Sequence, residues 1–207
     1  MNARKELSVA LFETGIVKFG SFTLKSGIES PIYLDLRVLV SHPKLLMLVA
    51  KLLAEKARPL KFDRIAGIPY AALAIATAVS IESGWPMIFA RKEAKDYGTK
   101  KLVEGEFNAG ETVLVIDDLI TTGGSKLEGA QPFLDAGLLV NDFLVIVDRD
   151  QGGREEMVHA GYRLHYVLSI HELLSDLLES GKISRQQFDS TESFLAATKQ
   201  VPKGSST

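Results

Sequence analysis

The stretch that most constrains this chain is residues 112–124, TVLVIDDLITTGG. It begins with an unbroken apolar run, Val113, Leu114, Val115 and Ile116, and passes directly into the acidic doublet Asp117–Asp118. A continuous apolar run without alternation suits a strand buried on both faces, as in a parallel sheet. Thr121, Thr122, Gly123, Gly124 and Ser125 follow, residues that can open a helix and leave bare backbone N–H groups facing outward. Such groups, backed by the positive end of a helix dipole, form an anion pocket. The segment therefore offers two carboxylates and a phosphate cradle at a strand's carboxyl end, where open α/β sheets bind ligands. A phosphorylated sugar, carrying hydroxyls and a phosphate, fits this pattern best.

Two other readings compete. Paired acids after an apolar strand also occur in P-loop NTPases, but those need a G-x-x-x-x-G-K-[ST] loop, and Gly123-Gly124-Ser125-Lys126 lacks the preceding glycine. An ordinary strand-to-helix turn with solvated acids is the second. The full string resembles the 5-phosphoribosyl-1-pyrophosphate (PRPP) signature of type I phosphoribosyltransferases, without a gap. That resemblance implies that Asp117 and Asp118 hold the ribose 2- and 3-hydroxyls. It implies that the loop from Thr121 to Ser125 holds the 5-phosphate, with Leu119 and Ile120 counted in the same binding segment.

Composition sets the outer bounds. At 207 residues, with 46% hydrophobic and 24% charged residues, the chain suits one globular domain. A net charge of −2 argues against general nucleic-acid binding, which needs a basic footprint. No apolar run approaches the ~20 residues of a membrane span. The polar start MNARKE does not read as a signal peptide. The absence of cysteine excludes disulfides and thiolate chemistry and is expected of a cytoplasmic protein. His42, His159, His165 and His171 show no metal-ligand spacing, and His171 is expected near a helix start.

Periodicity predicts a helix over 4–14, extended segments over 20–25 and 30–37, and a helix over 43–57 with Pro43 in its first turn. Strands are then expected at 62–67, 86–90, 112–117, 142–147 and 163–169, with helices at 71–82, after the signature loop, at 154–160, and near 171–180 and 185–197. This alternation predicts an α/β fold, a five-stranded parallel sheet flanked by helices. A single domain is expected: a small N-terminal hood to about residue 40, a core to about 180, then C-terminal helices and a tail. Pro132 falls inside the helix after the signature loop, where it removes a backbone bond.

Outside the signature, several segments resemble orotate phosphoribosyltransferases. GIPYAALAIAT, RKEAKDYGTKKLVEG and DRDQGG are most similar to the orotate domain of UMP synthase, and the likeness runs over about residues 5–180. Residues 91–101 hold five Lys or Arg among eleven. By position the resemblance implies that Arg91, Lys92 and Lys95 contact pyrophosphate, that Lys95 stabilises the leaving group, and that this loop serves the neighbouring subunit of a homodimer. Tyr97 stands where many relatives have His, so it can donate a hydrogen bond but cannot become a cation. In the hairpin, Lys25 corresponds to a lysine that reaches the reaction centre, and Tyr33 and Leu34 to the pair lining the base. Tyr70 and Ala71 correspond to the pyrophosphate loop, although many bacterial relatives carry Lys at the Ala71 position. Arg149 corresponds to the arginine that contacts orotate; read alone, its flanks Asp148 and Asp150 also permit a local ion pair.

The activity so implied is conversion of orotate and PRPP to orotidine 5-monophosphate and pyrophosphate. Mg²⁺ is expected on PRPP oxygens and water, with no dedicated protein ligand. The remaining alternatives are a phosphoribosyltransferase for another nucleobase and a PRPP-sensing regulator. No decarboxylase motif is present in these residues.

Overall fold

A computed structural model describes residues 2–23, 27–91 and 102–199. The chain opens with helix α1 (Ala3–Glu13), then strands β1 (Val17–Thr23) and β2 (Glu29–Leu34), which pair antiparallel. The hairpin starts earlier than its sequence indicates because Val17 is buried in the core. It ends earlier as well. Arg37 folds back onto Asp35, with Nε to Oδ1 at 2.6 Å, and the chain continues as a 3-10 helix, Leu36–Ser41.

Helix α2 (Pro43–Ala57) has Pro43 at its first position and buries Leu45, Val49, Leu52 and Leu53, one stripe at helical spacing. Next come β3 (Arg64–Gly67), α3 (Ala71–Ser83), β4 (Met87–Ala90) and the two-residue β5 (Val103–Glu104). The signature strand is β6 (Thr112–Ile120), followed by α4 (Gly124–Asp135), β7 (Leu139–Asp148), α5 (Gly153–His159) and β8 (Arg163–Ser169). Helices α6 (Ile170–Glu179) and α7 (Arg185–Thr198) close the chain, each begun by a capping box, Ser169 with Glu172 and Ser184 with Gln187.

Among the described residues the main sheet has the order β5-β4-β3-β6-β7-β8. The five parallel strands read from the sequence are all there. The sequence reading missed β5, a short antiparallel strand on the edge of β4. The sheet divides the interior in two. Helices α1, α2, α3 and α6 share one apolar cluster, and α4 and α5 share the other with Phe133, Phe143 and Met157. From β3 the chain crosses outward to β4, and from β6 it crosses the opposite way to β7. The order reverses between β3 and β6, which opens a crevice at their carboxyl ends.

Pro132 lies inside α4, as its position implies, and the helix ends three residues later at Asp135. The lost bond costs little there because the helix is already finishing. No helix among the described residues is long and apolar enough to cross a membrane.

Candidate active site

Gly67, the last residue of β3, makes the first wall possible. A Cβ on it would lie 2.4 Å from the carbonyl oxygen of Ala72, so only glycine lets the β3–α3 loop turn this tightly. The loop carries Ile68, Pro69, Tyr70 and Ala71 to the crevice, with Tyr70 largely exposed.

The neighbouring strand β6 supplies the second wall. It runs on through both acids to Ile120, three residues beyond its expected end. Asp117 pairs with Val145 of β7, so the acids stand on a rigid strand. The backbone N–H of Asp118 donates to Asp117 Oδ1 at 2.8 Å, and that of Leu119 donates to Asp118 Oδ1 at 2.7 Å. Asp117 Oδ2 lies 2.5 Å from the ammonium of Lys126. Burial, and then the charge of Asp117, push the Asp118 carboxyl up to about 6.

The third wall is the turn into α4. Gly123 begins the helix with φ +89°, a left-handed conformation that a side chain would resist. Thr121, Thr122, Gly123 and Ser125 line the crevice, ahead of the helix's free N–H groups.

The hairpin forms the roof. Tyr33 stacks on Phe22, ring centroids 5.5 Å apart, and its hydroxyl accepts from Arg37 Nη2 at 3.2 Å. Asp35, Leu34 and Leu36 lie beside it. The guanidinium of Arg37 beside Asp35 holds that carboxyl below the usual range. Together these walls enclose a cleft of about 850 Å³, a size suited to a small-molecule substrate.

Of the sequence-assigned residues, Tyr33, Leu34, Tyr70, Ala71, Asp117, Asp118, Leu119, Thr121, Thr122, Gly123 and Ser125 meet on this cleft. Four described residues are not on its wall. Ile120 turns its side chain into the α4–α5 core. Gly124 has no side chain to present. The Arg91 guanidinium is paired with Glu104 at 3.2 Å, across the β4–β5 edge. Arg149 is buried, tied to β6 by its N–H donating to Ile120 O at 3.0 Å, and its Nε and Nη2 have no partner among the described residues. The local ion pair that its flanks suggest does not form. Asp148 pairs with Arg154, and Asp150 with Lys199 and His171. Lys25, Lys92, Lys95 and Tyr97 lie outside the described residues.

Sequence reasoning passed over Lys126, whose ammonium meets Asp117 in this cleft. A signal was available: a cation in a helix's first turn opposes the dipole and asks for a compensating acid. Among the described residues no group of three or more His, Asp or Glu gathers where it could hold an ion. With Asp117 already engaged by Lys126, the donor set suits a Mg²⁺ that arrives on substrate oxygens and keeps its waters.

The phosphoribosyl transferase domain family matches residues 37–160. Bovine uridine 5'-monophosphate synthase is 41% identical over 191 residues, 91% of this chain and 40% of that protein. The orotate phosphoribosyltransferase of Pyrococcus abyssi is 39% identical over 184 residues, 88% of this chain and 99% of that one. Among solved structures, Leishmania donovani UMP synthase superposes with a TM-score of 0.87 at 44% identity, covering 95% of this chain and 43% of that one. The Mycobacterium tuberculosis orotate phosphoribosyltransferase in complex with PRPP gives 0.69 at 29% identity, covering 83% and 98%. The chain thus spans about 40% of the length of the UMP synthases it matches and nearly the whole of the shorter enzymes. With the acid doublet, the glycine turn and the hairpin roof all in place, this chain belongs to the orotate phosphoribosyltransferase family.

Proposed function

We propose that the chain transfers the phosphoribosyl group of PRPP to N1 of orotate, giving orotidine 5-monophosphate and pyrophosphate. One observation carries this reading: Asp117 and Asp118 stand on a fixed strand between the amide-lined turn into α4 and the tight β3–α3 loop. That spacing suits a sugar diol between a 5-phosphate and a 1-pyrophosphate.

In this reading the turn from Thr121 to Ser125 seats the 5-phosphate, with Gly124 contributing backbone only. Asp117 and Asp118 accept hydrogen bonds from the ribose hydroxyls and lie near the positive charge that grows on C1. The loop at Tyr70 and Ala71 receives pyrophosphate through backbone N–H groups. Ala71 in place of a lysine removes one side-chain contact and leaves that cradle intact. Tyr33 and Leu34 cover the base, and Lys25 reaches the reaction centre. Arg149, whose Nε and Nη2 have no partner among the described residues, supplies a cation for the orotate carboxylate. As orotate N1 forms its bond to C1, its proton passes to water or to the departing pyrophosphate, and the C1–oxygen bond breaks with its electron pair leaving on pyrophosphate. Mg²⁺, when bound with PRPP, would supply positive charge against the pyrophosphate, held by substrate and water with no dedicated protein ligand. Arg91, Lys92, Lys95 and Tyr97 belong to the segment that meets the leaving group, with Lys95 stabilising it. A single domain in the cytoplasm, acting as a homodimer with shared sites, completes the reading.

Loss of orotate's ultraviolet absorbance on adding PRPP and Mg²⁺ tests it. Turnover with purines alone selects another nucleobase, and PRPP binding without turnover selects a sensor. Mixing Lys95→Ala with Asp118→Asn protein tests site sharing. Hybrid dimers are expected to recover activity that neither parent shows.

A further inference from the structure

We infer that Lys126 is a positioning residue for the sugar-binding acids: its ammonium fixes the Asp117 carboxylate and offsets that acid's charge on Asp118, so that both are presented to the ribose diol as acceptors. The inference rests on the functional reading above.

Three observations support it. Lys126 and Asp117 are both buried, 5% and 7% exposed, and their charged atoms are 2.5 Å apart. A buried ion of either sign is costly without its partner. Second, Lys126 sits in the first turn of α4, its N–H donating to Gly123 O at 2.8 Å. A cation at a helix N-terminus opposes the dipole, so local helix energetics do not account for lysine here. Third, the carboxylate oxygens are distinguishable. Asp117 already accepts from Lys126 and from the N–H of Asp118, and each oxygen keeps a lone pair for a hydroxyl. Asp117 is thereby locked in one orientation.

Two adjacent acids in one half-buried site repel one another, and the second ionises late. Lys126 counters this, since its charge favours ionised Asp118. The other charged or titratable side chains on the cleft are Tyr33, Asp35, Arg37 and Tyr70. Asp35 and Arg37 pair with each other and leave the balance at the acids to Lys126.

The test uses the full chain and compares wild type with Lys126→Met, Lys126→Gln and Lys126→Arg. In wild type, kcat/KM for PRPP is expected to fall with acid through a limb near pH 6. Removing the cation raises the pKa at which Asp118 ionises, so activity is lost at higher pH. In Lys126→Met the limb is expected to move up by about one unit or more, with KM for PRPP raised about tenfold and kcat at saturation little changed. Lys126→Arg is expected to restore the wild-type limb. Should the methionine variant not fold, Lys126→Gln keeps a donor to Asp117 while removing the charge, and the same shift is expected. A merely structural lysine lowers the melting temperature and leaves the limb where it was; that result overturns the inference. Wild-type protein that neither binds nor turns over PRPP instead overturns the functional reading beneath it.

Discussion

Asp148 is fully buried and takes its ion pair from Arg154, 2.7 Å away, and not from its chain neighbour Arg149. The consequence is a guanidinium enclosed in protein with two nitrogens unsatisfied and its pKa pulled down by burial. Such an arrangement is costly unless a ligand supplies the acceptors.

Arg149→Met tests that cost from both sides. Losing a hydrogen bond to a charged group is worth about 1.5–3 kcal/mol, so KM for orotate is expected to rise roughly ten- to a hundredfold. Since no protein partner is stranded, the melting temperature is expected to hold or rise. Initial rates with varied orotate, beside a thermal melt, check both. An unchanged KM removes Arg149 from the base site.

Gly67→Ala places a methyl group against the backbone of Ala72, which cannot rotate away. Overpacking of this kind costs about 1–3 kcal/mol, and at this chain length each kcal/mol lowers the melting temperature by about 2–4 °C. The β3–α3 loop is expected to open, so PRPP affinity falls along with stability. Calorimetry and PRPP titration of the variant decide it. Wild-type values in both would mean that the loop tolerates a side chain.

Asp118→Asn is expected to stabilise the protein while removing activity. Folding raises this carboxyl from 3.8 to about 6, so the folded state favours its protonated form and ionisation above pH 6 costs stability. Each tenfold change in proton affinity is worth about 1.4 kcal/mol, and the displacement corresponds to roughly 3 kcal/mol. Melting temperature is expected to exceed wild type by several degrees at pH 7.5 and by roughly half as much at pH 5, the gap closing only below 3.8, where the unfolded chain is protonated as well. A variant less stable than wild type at both pH values contradicts the assignment. Active-site groups held at a cost to stability are common.

His171 makes α7 sensitive to pH in the opposite sense. Burial disfavours its cation, but Glu192 and Asp150, at 2.8 and 3.3 Å, outweigh that and raise its pKa above 6.5. The stabilisation is fully present below 6.5 and is lost as pH rises through the folded value. Amide exchange in α7, corrected for intrinsic rates, is expected to be faster at pH 8.5 than at pH 6. His171→Gln is expected to remove the difference.

Much of this architecture was legible in the residues. The unbroken run Val113–Leu114–Val115–Ile116 announced a strand buried on both faces, and those residues are wholly enclosed. The stripe of Leu45, Val49 and Leu52 placed α2, and Pro43 marked its start. Val103–Glu104 gave no such signal, because two residues carry no period and their pairing with Phe89 and Ala90 is set by the sheet edge. The site divided in the same way. Asp117, Asp118 and the glycine turn are contiguous, so local pattern sufficed. Choosing among partners for Asp148 required knowing that β7 runs into α5, which brings Arg154 round to it. Lys126 was hidden for the same reason, since its acid lies nine residues back across a turn.

Helix α7 packs on β2 of the roof, its Glu192 holds His171, and Lys199 just beyond it holds Asp150 beside Arg149. Gln151 in the same bend donates to Thr198 at 2.7 Å. The closing turn of α7 is thus a strut between the hairpin and the bend that carries Arg149. A label or substitution that loosens that turn would therefore slacken the hairpin and the Arg149 bend together.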